Sequence, residues 1–166
     1  MTSALKAFPT TDLNDAFPDL VRPVGVQFQD FGAKSLFAGR IRTAVTMEDT
    51  ALVQEKLFAT PGEGAVIVLD GGASLRSAML GDRMAERLLN NGWAGIVING
   101  AVRDASRLAA IDLGIKALGV TPVRSAKTGI GALGVPVAFG QVLFTEGQCI
   151  YCDADGVLVS DEPLEL

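Results

Sequence analysis

Two continuously apolar runs in the middle of the chain constrain its fold most. Residues 64–69 (GAVIVL) and 94–98 (AGIVI) lack the polar alternation of a half-exposed strand, so each is typical of a strand covered on both faces. A helical pattern lies between them at 82–91, a second follows at 103–113, and a third strand is predicted at 115–120. This alternation predicts an α/β domain in which the first two of these strands are adjacent, parallel and buried.

The flanking segments predict a different kind of structure at each end. Helical spacing predicts a short helix at 10–20 and another at 48–59, separated by one or two strands within 34–47. After Val135, the strand-like pieces VPVAFG, QVLFTEG, QCIYCDADG and VLVSD are divided by glycine turns, which predicts antiparallel hairpins or a small barrel. Because no linker interrupts the 166 residues, we expect one domain over 1–166 with a β-rich C-terminal part forming a cap.

The chain contains no histidine, which excludes several kinds of active site. It cannot build a Ser-His-Asp or Cys-His nucleophile, a histidine-ligated zinc site or an imidazole proton shuttle from its own residues. Catalysis would therefore use carboxylates, arginine, lysine, a metal on oxygen ligands, or backbone amides.

The net charge and hydropathy of the chain indicate which kinds of partner it binds and in which compartment it resides. Fourteen Lys and Arg against 19 Asp and Glu give a net charge of −5, which argues against direct binding of nucleic acid. Any connection with RNA would run through a protein partner. The sequence has no run of about 18 apolar residues and no signal-peptide layout, so we expect a cytoplasmic protein without a membrane segment.

Chemically interesting residues follow the two buried strands. Gly81-Asp82-Arg83-Met84 and Arg103-Asp104 each lie at a predicted helix start, beyond the carboxyl end of a strand, where open α/β sheets bind ligands. Arginine can clamp a carboxylate or keto oxygen, and the two aspartates can hold a hard divalent ion through oxygen or water. The alternative is structural: each aspartate only caps its helix, and Arg103 only pairs with a carboxylate.

Three other motifs indicate ordinary structure. Residues 129–134 (GIGALG) have the letters of a dinucleotide fingerprint, but VPV follows instead of a helix. Cys149 and Cys152 form a lone CxxC without histidine, which favours buried free thiols on opposite faces of a strand. Residues 153–156 (DADG) begin like a calcium loop but have Leu164 where the bidentate glutamate belongs, so a hairpin turn is predicted.

A resemblance to a known family rests on longer stretches. GGASLRSAMLGD ends at Asp82, WAGIVINGAVRD ends at Asp104, and LGIKALGVTPVRS follows. Together they resemble the family that groups the regulator of ribonuclease E activity A (RraA) with the 4-hydroxy-4-methyl-2-oxoglutarate aldolases. The family signature is an acidic residue, twenty intervening residues, then Arg-Asp. Asp82, residues 83–102 and Arg103-Asp104 match it, and the similarity extends over nearly the whole chain.

This resemblance implies a swivelling β/β/α fold, a ring-shaped homotrimer and an active site at the subunit boundary. Gly81, Asp82, Arg83 and Met84 match the substrate-binding stretch, Arg103 the substrate-binding arginine, and Asp104 the residue that holds a divalent metal, Mg²⁺ or Mn²⁺. We expect Arg103 and Asp82 to be catalytic. Such aldolases act on small 2-oxo acids: they cleave 4-hydroxy-4-methyl-2-oxoglutarate to two pyruvates and commonly decarboxylate oxaloacetate. Both reactions generate a pyruvate enolate, which a metal and an arginine can stabilise.

Two departures from the family pattern leave a second function open. An acidic residue often lies three positions after the Arg-Asp aspartate, where this chain has Arg107. Longer aldolases also contribute a C-terminal acidic base from a neighbouring subunit. Asp161, Glu162 or Glu165 could substitute for it, but nothing assigns one. The alternative to a lyase is a non-catalytic protein that binds and inhibits ribonuclease E, and a purely structural trimer also stays open.

Overall fold

A long β-sheet organises the protein, as shown by a computed structural model that describes residues 4–166. In this part of the chain the strands are β1 (Arg22–Pro23), β2 (Gln29–Asp30), β3 (Phe37–Val45), β4 (Val66–Asp70), β5 (Ala78–Leu80), β6 (Gly95–Asn99), β7 (Ala101–Val102), β8 (Gly114–Ala117), β9 (Gly119–Val120), β10 (Ala132–Leu133), β11 (Val137–Phe139), β12 (Val142–Phe144), β13 (Cys149–Asp153) and β14 (Gly156–Ser160). The helices are α1 (Thr10–Ala16), α2 (Ala51–Val53), which continues as a π-helical segment (Gln54–Phe58), α3 (Asp82–Asn90) and α4 (Ala105–Leu108). Within residues 4–166, no helix combines the length and the apolar character needed to cross a membrane.

Four parallel strands form the centre of the main sheet. Its order is β1-β14-β13-β3-β4-β6-β8-β2, with β10 also paired to β3, and β3, β4, β6 and β8 run parallel to one another. Strand β4 pairs with β6 from Val66 opposite Gly95 to Asp70 opposite Asn99. The predicted adjacency, direction and burial of these two strands are therefore confirmed.

The two faces of β4 explain why its sequence is apolar throughout. Ile67 and Leu69 pack in one core with residues of the π-helical segment and α3, whereas Val66 and Val68 pack in a second core with the C-terminal strands. A strand covered on both faces needs no polar alternation. The mixed α/β architecture with central parallel strands confirms the predicted fold class.

The C-terminal part is β-rich and antiparallel, as predicted, but it does not form a separate cap. Strands β11 and β12 form one hairpin and β13 and β14 another, and β13 also pairs antiparallel with β3, where Ile150 lies opposite Gly39. The reason is visible in the sequence CIYC, whose four side chains are all buried and need cover on both faces. This hairpin therefore extends the main sheet.

Other differences from prediction concern short elements. The predicted strand 115–120 is divided into β8, in the main sheet, and β9, in a second sheet of order β5-β7-β9. Sequence patterns missed β5 and β7, which have three and two residues. The predicted helix 103–113 is only α4: the left-handed backbone of Asp104 (φ 59°) delays its start to Ala105, and residues 109–113 form a turn and bends instead of further helix. The helix predicted at 48–59 has three α-helical residues followed by the π-helical segment.

The structure shows the ordinary structural roles that we predicted for the CxxC, GIGALG and DADG motifs. Cys149 and Cys152 are free and buried in different cores, and burial raises the pKa of both thiols. Residues 129–134 contain β10 instead of a helix start. The DADG segment is a turn in which Asp153 Oδ1 accepts N–H groups of Asp155 and Gly156 at 3.0 and 3.3 Å. These predictions are confirmed.

Two carboxylates hold distant segments together with the same set of donors. Asp49 accepts the N–H and the hydroxyl of Thr128, both at 2.6 Å, and the N–H groups of Ala51 and Gly129, both at 3.1 Å. The hydroxyl of Thr128 is the main cause of a lowered pKa at Asp49. Asp153 accepts the N–H and the hydroxyl of Thr10 at 2.6 and 2.7 Å, besides the two N–H groups in its turn. Burial opposes ionisation of Asp153, but these hydrogen bonds outweigh it and lower the pKa.

We expect stability to change little between about pH 5 and 7 and to fall below about pH 4. A carboxyl with a lowered pKa in the folded state stabilises the protein above its unfolded pKa and loses that contribution as pH falls through the folded pKa. Asp49 and Asp153 are of this kind, and the chain has no histidine that would titrate near neutrality. Thermal unfolding midpoints measured across pH check this. A steep loss of stability between about pH 6 and 7 would contradict it.

Candidate active site

A cavity of about 200 Å³ lies where the small sheet meets the starts of α3 and α4. The structure brings all of the predicted site residues to this one cavity. Its wall consists of Thr50, Gln54, Ala78, Met79, Leu80, Gly81, Asp82, Arg83, Met84, Arg103, Asp104, Arg124, Ser125 and Lys127. Strands β5 and β7 are parallel neighbours, so their carboxyl ends place the two helix starts side by side.

The start of α3 requires a glycine because Asp104 approaches it closely. A Cβ atom at Gly81 would lie 2.8 Å from Asp104 Oδ2. The same oxygen accepts the backbone N–H of Asp82 at 3.3 Å, and Asp82 Oδ1 accepts the N–H of Arg83 at 2.8 Å. Free backbone amides at a helix start favour an anionic ligand. In this structure protein carboxylates occupy the first two, so a ligand carboxylate would have to replace them or use the neighbouring groups.

Asp104 does not act as a simple helix cap. It precedes α4, but its side chain makes no capping hydrogen bond to that helix and reaches across to α3 instead. Its left-handed backbone (φ 59°, ψ 40°) costs about 1 kcal/mol or more for a residue other than glycine, although aspartate tolerates it better than most. The N–H of Asp82 is the main cause of a lowered pKa at Asp104, and the charges of Arg103 and Arg107 add to it. The carboxyl is therefore ionised at neutral pH.

Each of the two aspartates, Asp104 and Asp82, has one arginine beside it. Arg103 Nε lies 3.6 Å from Asp104 Oδ2, which is an ion pair beyond hydrogen-bond reach, and its side chain is 29% exposed. Arg107 Nη1 lies 3.5 Å from Asp82 Oδ2 and is 72% exposed, so this second pair is weak. Arg107 thus places a positive charge beside Asp82, at the position where the resembled family often has an acidic residue.

The cavity wall is basic although the whole chain is acidic. Four of its side chains are cationic, Arg83, Arg103, Arg124 and Lys127, whereas only Asp82 and Asp104 are anionic. This excess of positive charge favours an anionic ligand.

Sequence reasoning missed part of this wall. Arg124, Ser125 and Lys127 come from the segment after β9, whereas Thr50 directly precedes α2 and Gln54 begins the π-helical segment. A signal for the first group was present, because VTPVRSAK follows a predicted parallel strand and must leave the sheet at the same edge as the two helix starts. The second group carries no comparable signal.

The C-terminal acids lie elsewhere in the chain. Asp161 pairs with Arg22 at 2.9 Å, and Asp161 and Glu162 line a different cavity. Within one chain, none of Asp161, Glu162 and Glu165 lines the cavity at the helix starts.

The carboxylate oxygens of the cavity suit a hard divalent metal ion. Among residues 4–166, no group of three His, Cys, Asp or Glu side chains is arranged to hold an ion. The cavity does carry two carboxylates, Asp82 and Asp104. Mg²⁺ is typically bound by one or two carboxylates together with waters and ligand oxygens, whereas zinc requires three or four protein ligands. The residues therefore fit a hydrated, oxygen-liganded divalent ion.

Comparison with known proteins covers almost the entire chain. The sequence pattern of the RraA-like family, described as Aldolase/RraA, matches residues 10–159. A protein of Azotobacter vinelandii provisionally named 4-hydroxy-4-methyl-2-oxoglutarate aldolase is 45% identical over 96% of this chain and 98% of its own length.

Two solved structures are similar to this chain in both sequence and fold. The RNA-processing inhibitor RraA from Thermus thermophilis is 41% identical with a TM-score of 0.90, and the match covers 95% of each chain. A protein from Geobacillus kaustophilus HTA426 described as an S-adenosylmethionine:2-dimethylmenaquinone methyltransferase has the same identity and TM-score, over 95% of this chain and 97% of its own. Proteins of one fold thus carry three functional names.

Proposed function

Because this chain belongs to the RraA-like family, we propose that it is a divalent-metal-dependent carbon–carbon lyase acting on small 2-oxo acids. The specific reaction we propose is cleavage of 4-hydroxy-4-methyl-2-oxoglutarate to two pyruvates, with decarboxylation of oxaloacetate as a side activity. One observation carries the proposal: Arg103 and the ionised Asp104 share a small cavity with a net excess of positive charge. The names of close relatives support the same activity.

The proposed reactions share a requirement for charge stabilisation. In the aldol cleavage a base removes the proton of the 4-hydroxyl, the bond between C3 and C4 breaks, and its electron pair forms the enolate of one pyruvate while the other leaves as a ketone. In decarboxylation the same bond breaks with loss of carbon dioxide. Protonation at C3 then completes the pyruvate. The protein must therefore bind a dianion and stabilise a developing enolate oxygen.

Each site residue predicted from the sequence has a role in this proposal. Arg103 binds the substrate carboxylate or keto oxygen through its planar guanidinium. Gly81, Asp82, Arg83 and Met84 form the substrate-binding helix start, and the macrodipole of α3 adds roughly 0.3–1 kcal/mol for an anion there. Asp82 contributes as a charged catalytic group.

We assign Asp104 as the residue that holds the metal, with Asp82 as a second oxygen donor through water. A divalent cation bound there, Mg²⁺ or Mn²⁺, would supply the positive charge that stabilises the enolate oxygen. The contacts of Asp104 with the N–H of Asp82 and with Arg103 keep its carboxylate ionised without a metal. Asp104 is thus prepared as an anionic ligand.

A coupled assay for pyruvate from oxaloacetate, run with Mg²⁺ and then with a chelator, tests the proposal. We expect Arg103→Lys to lower kcat/KM at least about tenfold, because lysine keeps the charge but cannot form two parallel hydrogen bonds. The fold should survive, since among residues 4–166 the guanidinium makes only a 3.6 Å ion pair. Lys56→Arg, on the π-helical segment outside the cavity wall, is the matched control and should keep wild-type rates. Wild-type rates in Arg103→Lys would contradict the role of Arg103.

We also propose that the protein works as a homotrimer. Leu75, Val120 and Val123 are each more than half exposed and lie around the small sheet beside the cavity. Large apolar side chains grouped in this way are typical of an interface. Light scattering at micromolar concentration should give the mass of three 17.3 kDa chains, and a single-chain mass would contradict this proposal.

The similarity to an RNA-processing inhibitor favours a second candidate function, inhibition of ribonuclease E through direct protein contact. The net charge of −5 suits a basic protein surface better than RNA. Absence of turnover on every 2-oxo acid tested, combined with inhibition of ribonuclease E that Arg103→Lys leaves unchanged, would favour this candidate over the lyase.

Methyl transfer is not proposed for this chain. A nucleoside site in a sheet of this kind usually has an acidic residue at the end of the second strand, to bind the ribose hydroxyls. Here β6 ends at Asn99, whose Nδ2 donates a hydrogen bond to Asp70 Oδ1 at 3.0 Å.

A further inference from the structure

We propose that Asp49 is a positioning residue that fixes the basic segment 124–127 against the part of the cavity wall that contains Thr50 and Gln54. The inference deepens the proposed function and rests on it in one respect, that the cavity binds a small anion. Asp49 itself does not line the cavity, and sequence analysis gave no reason to select it.

Asp49 first contacts the part of the cavity wall at the start of α2. Asp49 directly precedes Thr50, which lines the cavity, and its Oδ1 accepts the N–H of Ala51 at 3.1 Å. Gln54, also on the wall, donates its side-chain amide to Thr50 Oγ1 at 3.1 Å. The position of Asp49 therefore sets the position of two wall residues.

Asp49 also contacts the residues that directly follow the basic segment 124–127. Thr128 donates its N–H and hydroxyl to Asp49 Oδ2, and Gly129 donates its N–H to Oδ1. Next to these contacts, the N–H of Thr50 donates to Ala126 O at 3.0 Å. Lys127 lies between the two anchored positions 126 and 128, so its backbone cannot shift unless these hydrogen bonds break.

The burial of Asp49 shows how strongly the segment depends on this carboxylate. Asp49 is 1% exposed, and no cation lies within ion-pair distance of it among residues 4–166. A buried charge without a counter-ion is tolerated only when hydrogen bonds replace its water. Four donors fill both oxygens of Asp49. An asparagine would keep one accepting oxygen and would turn an NH₂ group toward N–H donors, so no neutral side chain of this size can substitute.

The chain contains a matched control for this arrangement. Asp153 accepts the N–H and hydroxyl of Thr10 and two further backbone N–H groups, which is the donor set that Asp49 has. It ties α1 to the turn between β13 and β14, and neither Thr10 nor Asp153 lines the cavity. Thr128→Val and Thr10→Val therefore each delete one hydrogen bond from a threonine hydroxyl to a carboxylate. The first bond lies beside the cavity and the second lies away from it.

The experiment compares these two variants with the wild type in three measurements. They are the thermal unfolding midpoint, hydrogen exchange of the amides at 124–129, and calorimetric binding of oxalate in the presence of Mg²⁺. Both variants should lose similar stability. Only Thr128→Val should speed exchange in 124–129 by at least about tenfold and weaken oxalate binding by at least about tenfold. Thr128→Ser, which restores the hydroxyl, should return both values to near the wild-type level.

Two results would overturn the inference. One is unchanged exchange of 124–129 in Thr128→Val. The other is equal weakening of oxalate binding by Thr128→Val and Thr10→Val, which would mean that binding follows general stability. Failure of the proposed function is a separate result: wild-type protein that neither binds oxalate nor releases pyruvate rejects the lyase, whereas the exchange comparison still decides whether Asp49 fixes the segment.

Discussion

Asp104→Asn should reduce decarboxylation of oxaloacetate at least about 100-fold while the protein stays folded. Asparagine adopts the left-handed backbone of this position about as readily as aspartate, and its amide oxygen can still accept the N–H of Asp82. The variant therefore removes the negative charge and little else. Steady-state kinetics with saturating Mg²⁺ and a thermal unfolding scan check both halves of the prediction.

The accompanying control is Asp104→Ala, which removes the same charge and also leaves the N–H of Asp82 without its acceptor. Alanine also tolerates the left-handed backbone less well, so this variant should be less stable than Asp104→Asn by about 1 kcal/mol. Equal stability of the two variants would contradict a contribution from either the backbone strain or the hydrogen bond of the Asp82 N–H. Activity of Asp104→Asn within about threefold of the wild type would exclude Asp104 as the metal ligand.

The central sheet could be predicted from the sequence because its strands are apolar on both faces. GAVIVL and AGIVI are apolar at successive positions, so both faces of each strand need cover, and a helix between them favours parallel neighbours. The same reasoning applies to CIYC in β13. The glycine turns around it predict antiparallel hairpins or a small barrel, but not the pairing with β3, because partners distant in sequence leave no local pattern.

The shortest strands of the fold could not be predicted from sequence patterns. Strands β5 and β7 contain three and two residues, too few for a period to be recognised. They nevertheless decide the site, since their parallel pairing brings residues 81–84 beside Arg103 and Asp104. The predicted start of α3 at Asp82 is confirmed, whereas α4 begins at Ala105 and not at the predicted Arg103, because the left-handed backbone that turns Asp104 toward α3 has no sequence signature.

The remaining wall depends on contacts between segments far apart in the chain. Lys127 reaches the cavity because Thr128 binds Asp49, 79 positions earlier. A lone aspartate before a helix looks like a cap, and only the structure shows that its donors come from another loop. The place of Lys127 after a predicted strand is thus visible in the sequence, whereas the hydrogen bonds of the buried carboxylate that hold it there are not.

Two glycines allow an aromatic ring to pack flat on the main sheet. Gly95 and Gly114 lie opposite each other on β6 and β8, and the ring of Phe37 covers both. A Cβ atom at Gly95 would lie 2.6 Å from the ring, and one at Gly114 would overlap it. Phe37 is 1% exposed and packs with Val66, Val97 and other residues of the second core, so it has no free direction in which to move.

Gly114→Ala should therefore lower the free energy of unfolding by about 3 kcal/mol, which corresponds to a melting temperature lower by roughly 6–12 °C. Gly156→Ala is the matched control, because a Cβ atom there meets nothing within 4 Å, and it should stay within about 0.5 kcal/mol of the wild type. Adding Phe37→Leu should make the combined loss smaller than the sum of the single losses by at least about 1 kcal/mol. Strict additivity, measured at one protein concentration, would show that the ring does not contact Gly114.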